Sequence, residues 1–376
     1  MVRIALKMLL GDRAKFLSLV IGLSFAVLLI TQQGAIFLGL MLQATGPLQN
    51  ISQADLWVTD PYVKWVTETR NLNQTDLNHI RSTPGVAWAE PFFNTRAACD
   101  LGDGDFRFVN IVGIDRTTMV GRPPEVTAGR LEDLRIADAV LVEESARPKL
   151  GDPKIGDTLK LNDRRAVVVG FCRAKFGWDS PSVVYTTYEN AITFVPLGRN
   201  KISYVLVGVK PGVPVAQVQA DIARLPGLKA LTPDELRLQT VNFIMKETGI
   251  GINFGITVFL GVVVGLTVSA AIFYQFTLEN LRHFAVMKAM GATGAALIGM
   301  VLVQALLIGM IGYGVGVGGA ALFCLSARKP GAELAAYFPW QMLLVGLAGT
   351  FVCLAAGSLL SLRRVLTLDP AVVFKS

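Results

Sequence analysis

Residues 16–42 read FLSLVIGLSFAVLLITQQGAIFLGLML, with no Asp, Glu, Lys or Arg anywhere in the run. The uncharged stretch continues to residue 54, and three more occupy 248–278, 289–327 and 334–362. A bilayer's hydrocarbon core takes about 20 apolar residues in helix, and each stretch is longer than that. A charge at mid-bilayer costs about 2.5–3.5 kcal/mol on insertion scales, so uncharged windows of this length mark spanning helices. About three-quarters of the charged residues fall between the first stretch and the second. The reading is an α-helical membrane protein with four transmembrane helices in a 1+3 layout. A large α/β extracytoplasmic domain lies between the first and second helices.

The expected boundaries are a cytoplasmic N-terminus at 1–15 and helices at 16–42, 250–278, 294–325 and 339–362. The α/β domain takes 43–245, a loop or short helix 279–293, an outer loop 326–338 and a tail 363–376. The net charge is +7, and its placement says more than its total. Arg3, Lys7, Arg13 and Lys15 precede the first span, Arg282 and Lys288 lie between the second and third, and Arg363, Arg364 and Lys375 follow the fourth. Short loops rich in Lys and Arg stay inside, which puts both termini in the cytoplasm and 43–245 outside. Arg328 and Lys329 run against that bias. The charge thus follows a membrane topology and gives no nucleic-acid-binding face. A cleaved signal has an apolar core of about 7–15 residues and a small-residue cleavage site; 16–42 has neither and reads as a retained anchor.

Within 43–245, residues 54–59 read as a strand, 73–81 as a short helix, Pro84-Gly85 as its stop and 86–93 as a strand. The same order recurs at 203–209, 215–225, Pro226-Gly227 and 228–231, which suggests two βα units meeting in one α/β subdomain. Strands at 96–100 and 106–114 flank Gly102-Asp103-Gly104, a hairpin signal, and 139–142, 158–161, 166–172 and 183–187 continue an inserted β subdomain. A helix over 234–246 runs toward the second span and, if continuous with it, would carry motion between domain and membrane.

Enzymatic chemistry finds little purchase. A phosphate-binding P-loop needs Gly-Lys followed by Ser or Thr, and the chain has no Gly-Lys pair. His79 and His283, its only histidines, fall on opposite sides of the membrane, so a histidine triad or multi-histidine metal site cannot form within one chain. The acid pairs Glu143-Glu144 and Glu132-Asp133 read as solvated loop residues. Cys99 and Cys172 leave either one disulfide or two unpaired core thiols open, the second being the commoner case. Gln32, Gln33, Asn253, Gln275 and Gln304 are the polar residues of the spans, and without acids or bases there an ion-coupled midplane site is disfavoured. Gly261 and Gly265, and the run Gly309, Gly312, Gly314, Gly316, Gly318 and Gly319, permit close helix packing in lipid.

The inner loop reads Glu279-Asn280-Leu281-Arg282-His283-Phe284-Ala285-Val286-Met287-Lys288-Ala289-Met290-Gly291-Ala292-Thr293. It resembles the signature of the FtsX-like permease family: Arg-Glu-Ile-(Gly/Ala), two or three residues, then (Arg/Lys)-Ala-(Leu/Met)-Gly-Ala leading into the third span. Arg282, Ala285, Lys288, Ala289, Gly291 and Ala292 match, and His283 stands where the family has glutamate. The tail Arg363-Arg364 with Asp369-Pro370-Ala371 is similar to the family's closing segment. Ala54-Asp55-Leu56-Trp57-Val58 and the 286–291 run resemble the DevC and MacB-type export permeases.

The resemblance implies the permease subunit of a MacB-type ABC transporter in a bacterial inner membrane. Two copies of the chain would pair with two copies of a separate ABC ATPase subunit, with a periplasmic membrane-fusion adaptor and an outer-membrane channel beyond, and membrane lipids around the spans. ATP hydrolysis in the partner would drive substrate export outside by mechanotransmission; no cofactor or catalytic residue is implied for this chain. Leu281, Arg282, His283, Phe284, Met287 and Lys288 would couple to the ATPase, with Phe284 and Met287 as apolar anchors in its groove. Three alternatives stand beside this one: an FtsX-like transmembrane regulator of a periplasmic enzyme, a lipoprotein-releasing permease, and a membrane sensor outside the ABC systems. The size of the outer domain favours export.

Overall fold

A chain segment withdrawn from water must satisfy every backbone group within itself, which is why long uncharged runs become helices. In a computed structural model, which describes residues 2–102, 104–177, 182–195, 201–327 and 335–366, the four runs lie in helices that span 32, 30, 33 and 26 residues. Asp103, Arg328, Lys329 and the tail from 367, with Asp369, Pro370, Ala371 and Lys375, lie outside the described residues; Arg363 and Arg364 are described as helix backbone alone. In chain order the elements are α1 (Val2–Gly11), α2 (Arg13–Ala44), α3 (Gly46–Gln49), β1 (Leu56–Thr59), α4 (Gln74–Arg81), β2 (Val86–Gly102), β3 (Asp105–Ile114), β4 (Glu125–Ala128), β5 (Ala139–Glu143), β6 (Thr158–Leu161), β7 (Arg164–Arg173), β8 (Val183–Thr187), α5 (Tyr188–Phe194), β9 (Tyr204–Val209), α6 (Val215–Ala223), β10 (Lys229–Leu231), α7 (Pro233–Glu247), α8 (Ile250–Glu279), α9 (Leu281–Ala289), α10 (Gly294–Ser326) and α11 (Gln341–Leu366). Residues 40–249 form one compact unit, and the helices on either side of it in sequence form the other.

In the α/β unit, β1 lies antiparallel between β10 and β9, and β9 lies antiparallel between β1 and β2. The two βα units are therefore interleaved: α4 links β1 to β2 across β9, and α6 links β9 to β10 across β1, a split βαβ arrangement. Leu77 and Ile80 of α4 and Val218 and Ile222 of α6 pack on Val58, Val205 and Val207. Trp57, Leu206 and Tyr204 point to the opposite face, alternating as strand geometry requires. There the Trp57 ring meets Phe92 and Tyr204 edge-on at 5.6 and 5.3 Å. The second half of β2 continues into a closed ring of pairings, β2–β3–β8–β5–β7–β6 and back to β2. One face of the ring supplies a core that includes Ala97, Val109, Ile111, Val140, Val168 and Val184.

Three details depart from the sequence reading. β2 is one strand of 17 residues where two were expected. Asn94 and Thr95 read as a break, yet they stay in register with Val112 and Ile111, and buried Asn94 is satisfied by Asn110 Nδ2 and by Ser203, whose Oγ accepts from its amide at 2.9 Å. β4 on the edge of β7 was not foreseen. Cys99 and Cys172, in keeping with the commoner of the two readings, are free thiols in different core clusters, and no bridge joins them. Burial pushes Cys99 up to about 11 and Cys172 higher still. Finally, α7 and α8 are not one helix. α7 ends at Glu247, and Gly249 at φ +71° takes a left-handed conformation that a helix cannot include.

Glu143 also differs from its solvated reading: it is buried at the end of β5 and accepts from Ser145 N at 3.0 Å. Desolvation outweighs the Ser145 hydrogen bonds and raises its pKa above 4.5. Folded Glu143 thus keeps its proton to higher pH than the unfolded chain does. Its contribution is complete below that ordinary value and is lost as pH rises through the raised one. Glu143→Gln keeps the acceptor and removes the titration. As pH rises above about 4.5, its melting temperature is expected to fall less than that of the wild type. Parallel slopes for the two proteins would contradict this.

In the helical unit α8 packs on α11, and α10 on both α11 and α1. Leu19, Leu23 and Val27 of α2 join Phe273, Ile308 and Cys353 in its core. The expected glycine contacts are within the chain. A Cβ on Gly265 would meet Ala26 Cβ at 2.6 Å and Cys353 Sγ at 2.7 Å; on Gly312, Leu23 at 2.9 Å; on Gly316, the Ser24 carbonyl oxygen at 2.6 Å. Gly261 is looser, with Leu29 Cβ at 3.3 Å.

Candidate coupling surface

The end of α8 and the start of α2 are tied by charge. Lys15 pairs with Asp12 at 2.5 Å and with Glu279, and Gln275 Nε2 donates to Glu279 at 3.2 Å. The Lys15 hydrogen bonds hold the Asp12 carboxyl below its ordinary range. After the Asn280 turn, α9 runs from Leu281 to Ala289 and stops on a defined device. Gly291 sits at φ +96°, its amide bonds Lys288 O at 3.1 Å, and the Ala292 amide bonds Met287 O at 2.9 Å. This is a Schellman stop, and it needs glycine because an L side chain is strained there. Thr293 then caps α10, its Oγ1 accepting from Ala296 N at 3.3 Å. The signature's Gly-Ala-Thr is thus a helix stop joined directly to a helix start.

The side chains expected as anchors are buried within the chain. Phe284 is fully buried and Met287 nearly so, both packed with Ala5, Leu297, Met300 and Val301 inside the chain. Neither side chain is exposed in the chain by itself. The reason is α1, a helix not expected from sequence, which turns Ala5 and Leu9 inward and lies along α10. Gln304, a polar residue inside a span, is accounted for by this contact: its Nε2 donates to Ala5 O at 2.9 Å. The spacing of Ala5, Met8 and Leu9 opposite Arg3 and Lys7 was the available signal for α1.

What α9 presents outward is another stripe. Arg282, His283, Val286, Ala289 and Met290 are exposed, Met290 at 76%, while Leu281 and Lys288 are intermediate. Arg282, Val286 and Met290 recur at i, i+4 and i+8 on one face. Beside them, Lys7 and Met8 of α1 with Asp12, Glu279 and His283 line an open cleft of about 470 Å³. The surface is apolar at its centre and charged at its rim, and it is held from beneath by Phe284 and Met287.

Comparison with known proteins agrees along the chain. The family model of the MacB-like periplasmic core domain matches residues 16–225, more than half of the sequence, and that of the FtsX-like permease C-terminal domain matches 253–370. An uncharacterized ABC transporter permease of Mycobacterium tuberculosis is 25% identical over 312 residues, covering 80% of this chain and 78% of the relative. The macrolide export ATP-binding/permease protein MacB of Hahella chejuensis is 23% identical over 300 residues; the match takes in 68% of this chain and 46% of that protein. Among solved structures, the periplasmic region of MacB from Actinobacillus actinomycetemcomitans matches with TM-score 0.40 at 17% identity, over 52% of this chain and 98% of that one. The extracellular domain of the noncanonic ABC-type transporter YknZ from Gram-positive bacteria matches with TM-score 0.37 at 14% identity, over 48% and 99%. The family models span both the α/β unit and the helices that follow it, and the chain belongs to the FtsX/MacB-type family of ABC transporter permeases.

Proposed function

We propose that this chain is the export permease of a MacB-type transporter, coupling ATP hydrolysis by a separate ATPase to work done by the α/β unit outside the membrane. The observation that carries it is the outward stripe Arg282–Val286–Met290 on a short helix whose other face is locked into the membrane helices. A helix fixed in this way can pass a push from a docked partner into α8 and α10 without yielding itself. Val286 and Met290 take over the anchoring role, with Arg282 and His283 at the rim and Lys288 beside them. The chain acts as two copies with two ATPases in a bacterial inner membrane, with its termini cytoplasmic and with an adaptor and outer-membrane channel completing the path. The break at Gly249 makes the α7–α8 junction a hinge in that path.

Docking of a helix into a groove rests on a few apolar anchors, each contributing about 2 kcal/mol or more. The double variant Val286→Ser, Met290→Ser is therefore expected to bind the ATPase at least about 30-fold more weakly in detergent. Its melting temperature stays near that of the wild type, because both residues are exposed. Wild-type affinity in this variant would overturn the assignment.

A further inference from the structure

The α/β unit carries an open cleft of about 610 Å³ between the 61–64 loop and the outer face of α7. Its walls are fixed. The Phe243 ring stacks on Trp65 at 4.5 Å and 12°, and Gln239 Nε2 donates to Val63 O. Its rim is apolar and solvent-facing at Tyr62, 71% exposed, and Leu238, 63% exposed, and Met245, two turns beyond Leu238 on the same side of α7, is 39% exposed. Most of its charges are already engaged. Lys64 pairs with Glu247, Lys229 donates to Gln239, and Glu235 accepts from Thr232 N and Gln219. Lys246 has no counter-charge among the described residues, so the unbalanced charge at the cleft is positive.

Position in the chain says what covers this face. Lys246 is four residues before Ile250, where the membrane helix α8 begins. Four residues reach at most about 14 Å, which keeps Lys246 within that distance of the first residue of α8. A tyrosine, two aliphatic side chains and a lysine on one exposed face are the groups that settle at a membrane interface, the rings and aliphatics at the acyl boundary and the ammonium on phosphate. We infer that the Tyr62–Leu238–Met245 face of the α/β unit rests on the membrane surface and that Lys246 holds an anionic lipid headgroup there. The inference is independent of the coupling surface on α9.

The test uses the full chain in lipid nanodiscs with spin labels at Leu238→Cys and Met245→Cys, and at Ile155→Cys, exposed on the β subdomain, as control. The four native cysteines are buried and do not compete for label. In nanodiscs containing phosphatidylglycerol, the ratio of oxygen to nickel-chelate accessibility is expected to be several-fold higher at 238 and 245 than at 155. Pure phosphatidylcholine, or Lys246→Glu in phosphatidylglycerol, should lower it without shifting the melting temperature. Ratios equal to the control in both lipids would overturn the proposal. So would shielding that arises only when a partner protein is added, and a high ratio insensitive to lipid charge and to Lys246→Glu would overturn the headgroup assignment.

Discussion

Gly316→Val is expected to abolish assembly of the helical unit. The first atom of any side chain at 316 would sit 2.6 Å from the Ser24 carbonyl oxygen and 2.8 Å from Val27 Cβ, both on α2. A flexible side chain could move away, but the Ser24 oxygen belongs to a helix backbone and cannot move without shifting α2. Overpacking a fitted core costs about 1–3 kcal/mol even where side chains can relax, and here Gly312 makes the same close approach one turn earlier, against Leu23. Gly314→Val is the control: on the same helix, a Cβ at 314 meets nothing within 4 Å. Monodisperse yield and melting temperature in detergent should collapse for the first variant and stay near wild type for the second. Equal behaviour of the two would mean that α2 and α10 do not pack as described.

Phe284→Ala has the second large effect, and on a different quantity from the one its place in the signature suggests. The ring is fully buried among Ala5, Met287, Leu297, Met300 and Val301. Removing a buried Phe leaves a cavity and costs about 3–5 kcal/mol. The ends of α1, α9 and α10 that meet at this ring should loosen together, seen as lost hydrogen-exchange protection in all three. Met290→Ala, at an exposed position, is expected to change stability by less than about 0.5 kcal/mol. If Phe284→Ala left protection intact and weakened only ATPase binding, the ring would belong to the partner's groove after all.

Much of this architecture was legible because the signals were local. Uncharged windows mark helices since the cost of a buried charge is paid residue by residue, and Pro84-Gly85 and Pro226-Gly227 mark turns because they act on their own φ and ψ. The missed features depend on contacts distant in sequence. Asn94 interrupts a strand pattern unless Asn110 and Ser203 are known to satisfy it. Glu143 reads as solvent-facing until β5 is seen to be buried in the ring of strands. The inward face of α9 could not be chosen from its own nine residues, which are apolar or small on several sides. It is chosen by α1, about three-quarters of the chain away, and by Gln304 holding α1 in place. The signature residues were legible as a motif, yet Gly291 and Ala292 shape the helix stop, and the side chains left exposed beside them are Val286 and Met290.

The central claim, that the outward face of α9 is where the ATPase docks, is tested most directly by maleimide labelling of Met290→Cys with and without the ATPase. The native cysteines are buried, so the introduced thiol reports alone. Met290→Cys is expected to react readily in the isolated chain and to lose that reactivity in the complex, while Ile155→Cys on the α/β unit labels equally in both. Unchanged labelling of Met290→Cys in a complex that co-migrates with its ATPase would contradict the account.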